Sequence, residues 1–79
     1  MRLDKFLKVS RIIKRRTVAN EACDAGRVTV NGKTARASYD VKVGDIIEIS
    51  FGTRDFKARV TAVSETVKKD DAMSLYELL

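Results

Sequence analysis

Residues 26–32, Gly-Arg-Val-Thr-Val-Asn-Gly, decide the fold class because the hydrophobic period changes here from that of a helix to that of a strand. Val28 and Val30 alternate with polar residues, which is typical of a half-buried strand. The Asn31-Gly32 pair follows at once and favours a two-residue hairpin turn, because both of its residues tolerate a positive φ. The stretch therefore predicts helical chain before Gly26 and β-hairpins after it.

The chain before Gly26 has the pattern of two short helices. Residues 2 to 9 place three apolar side chains on one helical face, at Leu3, Phe6 and Leu7. Thr17 is the expected N-cap of a second helix that runs to about Asp24, since its hydroxyl can accept a backbone N–H of the first turn. Gly26 then suits a helix end that needs a left-handed backbone.

The chain after Asn31-Gly32 favours further strands and a terminal helix. Strands are predicted over residues 46–51 and 56–63, with a turn at Gly44-Asp45 before the first of them. Residues 70–79 predict a short helix with an acidic start and apolar leucines. We therefore expect a single α+β domain over residues 1–79, with two N-terminal helices packed on a small, mostly antiparallel sheet.

The positive charge lies almost entirely at one end of the chain. The 79 residues include 16 Lys+Arg and 11 Asp+Glu, for a net charge of +5. Residues 1–16 have seven bases and one acid, whereas residues 17–79 have nine bases and ten acids. Uncompensated repulsion of this kind destabilises the free protein, and it is typical of a surface that meets a polyanion. The pattern predicts a phosphate-binding surface within the first sixteen residues.

The residue types exclude most catalytic chemistry. The chain has no histidine and a single cysteine, so no Ser-His-Asp triad and no structural zinc site can form. Cys23 lies on a small-residue face of the second predicted helix, which favours packing over reactivity. We expect no enzyme activity, no cofactor and no metal. No signal-peptide core or membrane-spanning run is present, so a cytoplasmic location is expected.

Two other kinds of partner fit a basic helix pair less well. A membrane surface could attract it, but the apolar face of the first helix is small and is needed for the core. Two helices joined by a turn also resemble a DNA-binding helix-turn-helix, although the strand-rich remainder fits that motif poorly. Structured RNA is the partner that the residue pattern favours.

Residues 1 to 51 resemble the alpha-L RNA-binding domain family, named after the small-subunit ribosomal protein S-four. In that family the two N-terminal helices and the edge of the sheet bind structured RNA. The stretches that carry the resemblance are Arg2-Leu3-Asp4-Lys5-Phe6-Leu7, Arg16-Thr17 with Ala19, Gly26–Gly32 and Val43-Gly44-Asp45-Ile46-Ile47.

The length and the N-terminal residues are most similar to the stand-alone RqcP family of Gram-positive bacteria. This resemblance implies a monomer that binds an obstructed large ribosomal subunit with its peptidyl-tRNA, through 23S rRNA and tRNA. It also implies support for template-free C-terminal alanine tailing with the tailing factor RqcH. The alternatives are a general rRNA-binding rescue or chaperone protein of the heat-shock-protein-fifteen type, or a DNA- or RNA-binding regulator.

The expected RNA-binding side chains are the seven bases of the first sixteen residues: Arg2, Lys5, Lys8, Arg11, Lys14, Arg15 and Arg16. Arg2 and Arg16 match recurrent arginines of the family, and a guanidinium suits bidentate phosphate contact. Asp4 is expected to orient a neighbouring base, Arg2, Lys8 or Arg11, rather than to touch RNA. Three bases further along the chain are left open between RNA contact and solvent exposure: Arg27, Lys33 and Arg36. Tyr39 and Tyr76 could stack on bases, but core or surface packing is favoured for both.

Overall fold

The computed structural model of the protein describes residues 1–64 and 74–79, which contain two α-helices and one five-stranded sheet. Helix α1 spans Leu3–Val9 and helix α2 spans Arg16–Asp24. Helix α2 ends ahead of Gly26, whose φ of 74° is the left-handed conformation that the sequence predicts there. Neither helix is long and apolar enough to cross a membrane within these residues.

The sheet is antiparallel throughout, in the order β2-β1-β3-β4-β5. Its strands are β1 Val28–Val30, β2 Lys33–Thr34, β3 Ile46–Ser50, β4 Asp55–Val60 and β5 Tyr76–Leu78. Two helices against such a sheet confirm the predicted α+β class and the alpha-L type of fold.

The hairpin between β1 and β2 has the turn that the sequence predicts. Asn31 has a φ of 54° and Gly32 a φ of 85°, the pair of positive angles of a type I′ turn. The Asn31 carboxamide also bridges to β3, because its Oδ1 accepts a hydrogen bond of 2.9 Å from the backbone N–H of Ile46. The asparagine thus fixes the turn and anchors it to the neighbouring strand.

One hydrophobic core joins the helices to one face of the sheet. The three apolar side chains predicted for the face of α1 are all fully buried, at Leu3, Phe6 and Leu7. Inward-facing side chains of the sheet alternate with exposed ones along β3 and β4, as the period of two requires. The outer face of the sheet has ion pairs between Lys57 and Glu48 and between Arg59 and Glu77. The helices therefore have one side in the core and the other open to solvent.

The start of α2 differs from the prediction. Arg15 is the N-cap and Arg16 is the first helical residue, so Thr17 lies inside the first turn. The side chain of Arg15 makes no capping hydrogen bond, and the backbone of Arg15 is extended. The helix thus starts two residues before the predicted start of the helical turn, without the cap that Thr17 was expected to provide.

The C-terminal helix predicted over residues 70–79 is wrong for the described part of that range. Residues 74–79 include strand β5, which pairs with β4 in the register Ala58–Leu78, Arg59–Glu77 and Val60–Tyr76. Residues 70–73 lie outside the described residues. A strand is favoured over a helix here because it pairs with the backbone groups along the edge of β4, whereas a single helical turn would leave those groups of β4 unpaired. Strand β4 itself ends at Val60, three residues before the predicted end.

Candidate RNA-binding surface

A buried carboxylate lies at the junction of the two helices. Asp4, in the first turn of α1, is only 2% exposed. Its oxygens accept hydrogen bonds from Arg2 Nε at 3.2 Å, from Arg16 Nη2 at 3.4 Å and from Asn20 Nδ2 at 3.3 Å. Arg2 donates a second bond from Nη2, of 3.3 Å, and the backbone N–H of Lys5 donates one of 2.8 Å to the same carboxylate. Asp4 therefore binds two arginines that are far apart in sequence.

These hydrogen bonds keep Asp4 ionised. Burial by itself would raise the pKa of the carboxyl group, because it disfavours the charged form. The donors on Arg2, Arg16, Asn20 and the Lys5 backbone outweigh burial, and the pKa is lowered below its usual value. The carboxylate is therefore negatively charged at neutral pH and holds both guanidinium groups electrostatically.

The position of Arg2 is also fixed through its backbone. Arg2 forms an antiparallel bridge with Asp40, and the N–H of Leu3 donates to the carbonyl of Tyr39 at 2.8 Å. The N–H of Asp4 donates to the carbonyl of Ala37 at 3.1 Å. The loop before residue 41 thus holds the first turn of α1 and, with it, the base of the Arg2 side chain.

Both arginines remain available to a ligand. The side chains of Arg2 and Arg16 are 51% and 46% exposed, although each contacts Asp4. A guanidinium group has five N–H donors, and Asp4 uses only some of them. The remaining donors can face a phosphate, for which the planar fork is well suited. The arrangement is a pair of pre-oriented arginines that can bind an anion together.

The other five bases of residues 1–16 lie on α1 and in the connection to α2: Lys5 and Lys8 on α1, and Arg11, Lys14 and Arg15 between the two helices. Lys5 is half-buried, and the others are exposed. The side chains of four of them make no ion pair within residues 1–64 and 74–79: Lys8, Arg11, Lys14 and Arg15. Asp4 makes no hydrogen bond or ion pair with Lys8 or Arg11 in the described part of the chain, although the sequence had offered both as its partners. We call the seven bases of residues 1–16 the arginine surface.

Two local features of the arginine surface disfavour the free protein. Arg11 has a φ of 63°, a left-handed conformation that is uncommon for residues other than glycine, asparagine or aspartate. Arg15 and Arg16 lie at the N-terminal end of α2, where the helix dipole disfavours cations. A bound phosphate would offset the second effect, because it is favoured by the helix end and by both arginines.

Sequence reasoning missed the role of Asn20. Its amide donates to Asp4, and it lies four residues after Arg16, on the same face of α2. The spacing indicates that both side chains share one face of α2, but it does not indicate that this face meets Asp4. Cys23, by contrast, lies where the sequence placed it: it is buried, and burial together with the charges of Asp4 and Asp24 raises its pKa to about 11. Its thiol is therefore protonated at neutral pH.

Comparison with known proteins agrees with this description. The S4 domain family matches residues 1–47. A relative from Halalkalibacterium halodurans, named "RQC P-site tRNA stabilizing factor", is 56% identical over 99% of this chain and 89% of its own length. A relative of the same name from Streptococcus pneumoniae is 53% identical over the whole of this chain and 90% of its own length.

A solved structure has the same fold. The trimeric structure of Vibrio cholerae Heat Shock Protein 15 superposes with a TM-score of 0.91 at 29% identity, over the whole of this chain and 81% of that chain. The helix pair and the antiparallel sheet, together with the family match, define an RNA-binding domain of the S4 class. The chain belongs to the S4 domain family and, within it, to the family of the RQC P-site tRNA stabilizing factors.

Proposed function

We propose that this protein acts in ribosome-associated quality control by binding a large ribosomal subunit that still holds an obstructed peptidyl-tRNA. The observation that carries the proposal is the pair Arg2 and Arg16, held by the buried Asp4 within a surface of seven bases. The names of the relatives support the same role, since they specify stabilisation of a P-site tRNA.

The arginine surface is proposed to contact two RNAs at once, the P-site tRNA and 23S rRNA. Each phosphate that a base neutralises releases counterions, so five or six contacts suffice for substantial binding that depends steeply on salt. Contact with two RNAs fixed relative to each other adds affinity, because the second contact forms at a high effective concentration. The protein is therefore expected to prefer large subunits that carry tRNA, because only these subunits present both RNAs.

The protein is proposed to be a monomer and a non-catalytic partner of the RqcH tailing factor. By holding the tRNA in place, it would support repeated C-terminal alanine addition without taking part in the chemistry. The single cysteine is buried and protonated, and histidine is absent from the sequence, so the usual nucleophile and general base are lacking.

A second candidate function is general rRNA-binding rescue or chaperoning. It is favoured by the close superposition on Heat Shock Protein 15. The two functions differ in the particle that they require. Quality control requires tRNA on the large subunit, whereas general rRNA binding does not.

Binding measurements with arginine variants test the proposal. We expect Arg2→Ala and Arg16→Ala each to weaken binding to tRNA-loaded large subunits by about 10- to 150-fold, the equivalent of one charged hydrogen bond. Arg59→Ala is the matched control, because it removes the same group from the outer face of the sheet, where it pairs with Glu77. Melting temperatures should change little for all three variants, since each guanidinium group is about half-exposed and Asp4 keeps its other hydrogen bonds in either arginine variant.

Sedimentation of cell extracts separates the two candidate functions. Quality control predicts co-sedimentation with large subunits that carry peptidyl-tRNA, and loss of alanine-tailed products when the gene is deleted. If the protein binds empty large subunits as strongly as tRNA-loaded ones, and tailing continues after the gene is deleted, general rRNA binding is the function instead. A log–log salt dependence with a slope near zero would contradict both, because it would exclude phosphate contacts.

A further inference from the structure

A cavity of about 650 Å³ lies beside the arginine surface, between the β1–β2 hairpin and the loop that follows it. Lys33 and Arg36 line it together with Asn31 and Tyr39. Its volume falls within the range of small-molecule sites, which is about 300–1,000 Å³. No part of the proposed contact with paired RNA uses this cavity.

The cavity and the arginine surface share one loop. Ala37 and Tyr39, which accept hydrogen bonds from the first turn of α1, belong to the same loop as Arg36. The backbone bridge between Arg2 and Asp40 continues this contact. The wall of the cavity is therefore joined, through the backbone of this loop, to the first turn of α1 and to Arg2.

A hydrogen bond to Asp45 holds the side chain of Tyr39 in place. Its hydroxyl donates a hydrogen bond of 3.0 Å to Oδ2 of Asp45. Asp45 is 8% exposed, and it also accepts bonds from Asn31 Nδ2 at 3.0 Å and from the N–H of Lys42 at 2.9 Å. This hydrogen bond fixes the orientation of Tyr39, which is half-buried and lines the cavity. Binding of a ligand against Tyr39 therefore costs little additional side-chain entropy.

The charge of the cavity favours an anion. Lys33 and Arg36 are exposed, and their side chains make no ion pair among the residues that the structure describes. Asp45, the acid nearest to the ring, is buried behind it with its oxygens already hydrogen-bonded. A positively charged rim above an aromatic wall matches a nucleotide, which has a flat base and a phosphate.

We propose that this cavity binds one unpaired nucleotide of the RNA, with its base against Tyr39 and its phosphate at Lys33 and Arg36. The proposal rests on the proposed function, because the arginine surface must first bring RNA to the protein. It extends that function from a surface that recognises phosphates to one that prefers RNA with an unstacked base beside a paired region. Stacking of a base on an aromatic ring should increase affinity about tenfold.

Two RNA probes test the proposal on the full chain. One is a short blunt RNA duplex, and the other is the same duplex with one extrahelical adenosine. We expect wild-type protein to bind the second about tenfold more tightly. Lys33→Gln with Arg36→Gln, and separately Tyr39→Leu, should abolish this preference, whereas Tyr39→Phe should retain it. Lys57→Gln with Arg59→Gln is the matched control, since both side chains lie on the outer face of the sheet.

A crosslink on wild-type protein keeps the test valid if Tyr39→Leu fails to fold. A duplex with an extrahelical 5-iodouridine, irradiated in the complex, should yield a crosslinked peptide that contains Tyr39. A crosslinked peptide elsewhere in the chain would overturn the proposal.

The two proposals fail in different ways. If Arg16→Ala leaves binding to the blunt duplex unchanged, the proposed role of the arginine surface is wrong, and the cavity proposal fails with it. If binding to the blunt duplex depends on Arg16 but the extrahelical adenosine adds no affinity, only the proposed nucleotide site is wrong.

Discussion

Replacing Asp4 with asparagine makes the protein more positive, yet we expect it to weaken RNA binding. If Asp4 only opposed the phosphates electrostatically, its neutralisation would strengthen binding. If it holds Arg2 and Arg16 in place, as its hydrogen bonds indicate, neutralisation releases both guanidinium groups. The sign of the change therefore distinguishes the two roles.

The magnitude follows from the contacts of the carboxylate. In Asp4→Asn one oxygen becomes an NH₂ group that faces the donors of Arg2, Arg16 and Asn20. The arginine pairs are half-exposed and contribute about 0–1 kcal/mol each, while an unsatisfied buried donor costs about 1–3 kcal/mol. We expect a loss of about 2 kcal/mol in the free energy of unfolding, which lowers the melting temperature by about 8–16 °C. RNA affinity should fall about tenfold, the lower end for a charged hydrogen bond.

Glu21→Gln is the matched control for Asp4→Asn. Glu21 is exposed and lines the same shallow groove between α1 and α2 as Asp4 and Arg16. Its neutralisation adds the same charge without removing a hydrogen bond to either arginine, so affinity should rise slightly and stability should change by less than about 0.5 kcal/mol. Fluorescence anisotropy with the blunt duplex, below the melting temperature of every variant, measures the affinities. Tighter binding by Asp4→Asn, in parallel with Glu21→Gln, would refute the orienting role.

Two further predictions concern stability. Arg11→Gly should raise the free energy of unfolding by about 0.5 kcal/mol, because glycine accepts the φ of 63° without strain. RNA binding should weaken, because the variant lacks one base of the arginine surface. Urea unfolding and anisotropy measure the two effects, and lower stability with unchanged affinity would contradict this prediction. The pKa values of Asp4 and Asp45 are lowered in the folded protein, because hydrogen bonds to each carboxylate outweigh the effect of burial. Their contribution to stability is therefore fully present above the unfolded carboxyl pKa of about 4 and is lost as the pH falls below it. Urea unfolding across that range should show the loss, and Asp45→Asn should make it shallower; a stability that stays level down to about pH 3 would argue against these networks.

Features that depend on neighbouring residues could be predicted from the sequence. The turn at Asn31-Gly32 has its predicted positive angles because they follow from the conformational preferences of those two residues. The buried face of α1 follows from the spacing of its apolar side chains, since the helical period is a local property. The location of the excess charge is also a property of the sequence alone.

Features that join remote parts of the chain required the tertiary structure. The partners of Asp4 include Arg16 and Asn20, twelve and sixteen residues away, and no local pattern distinguishes them from Lys8 or Arg11. Strand β5 exists because the edge of β4 offers it backbone partners, so the apolar spacing that suggested a helix there had less influence than pairing. The cavity likewise depends on the hydrogen bond from Tyr39 to Asp45 and on the packing of their loop against α1. Local conformational preferences extend over a few residues, whereas these contacts form only when the whole chain folds around its core. Folding therefore brings together basic residues whose arrangement the sequence alone does not give.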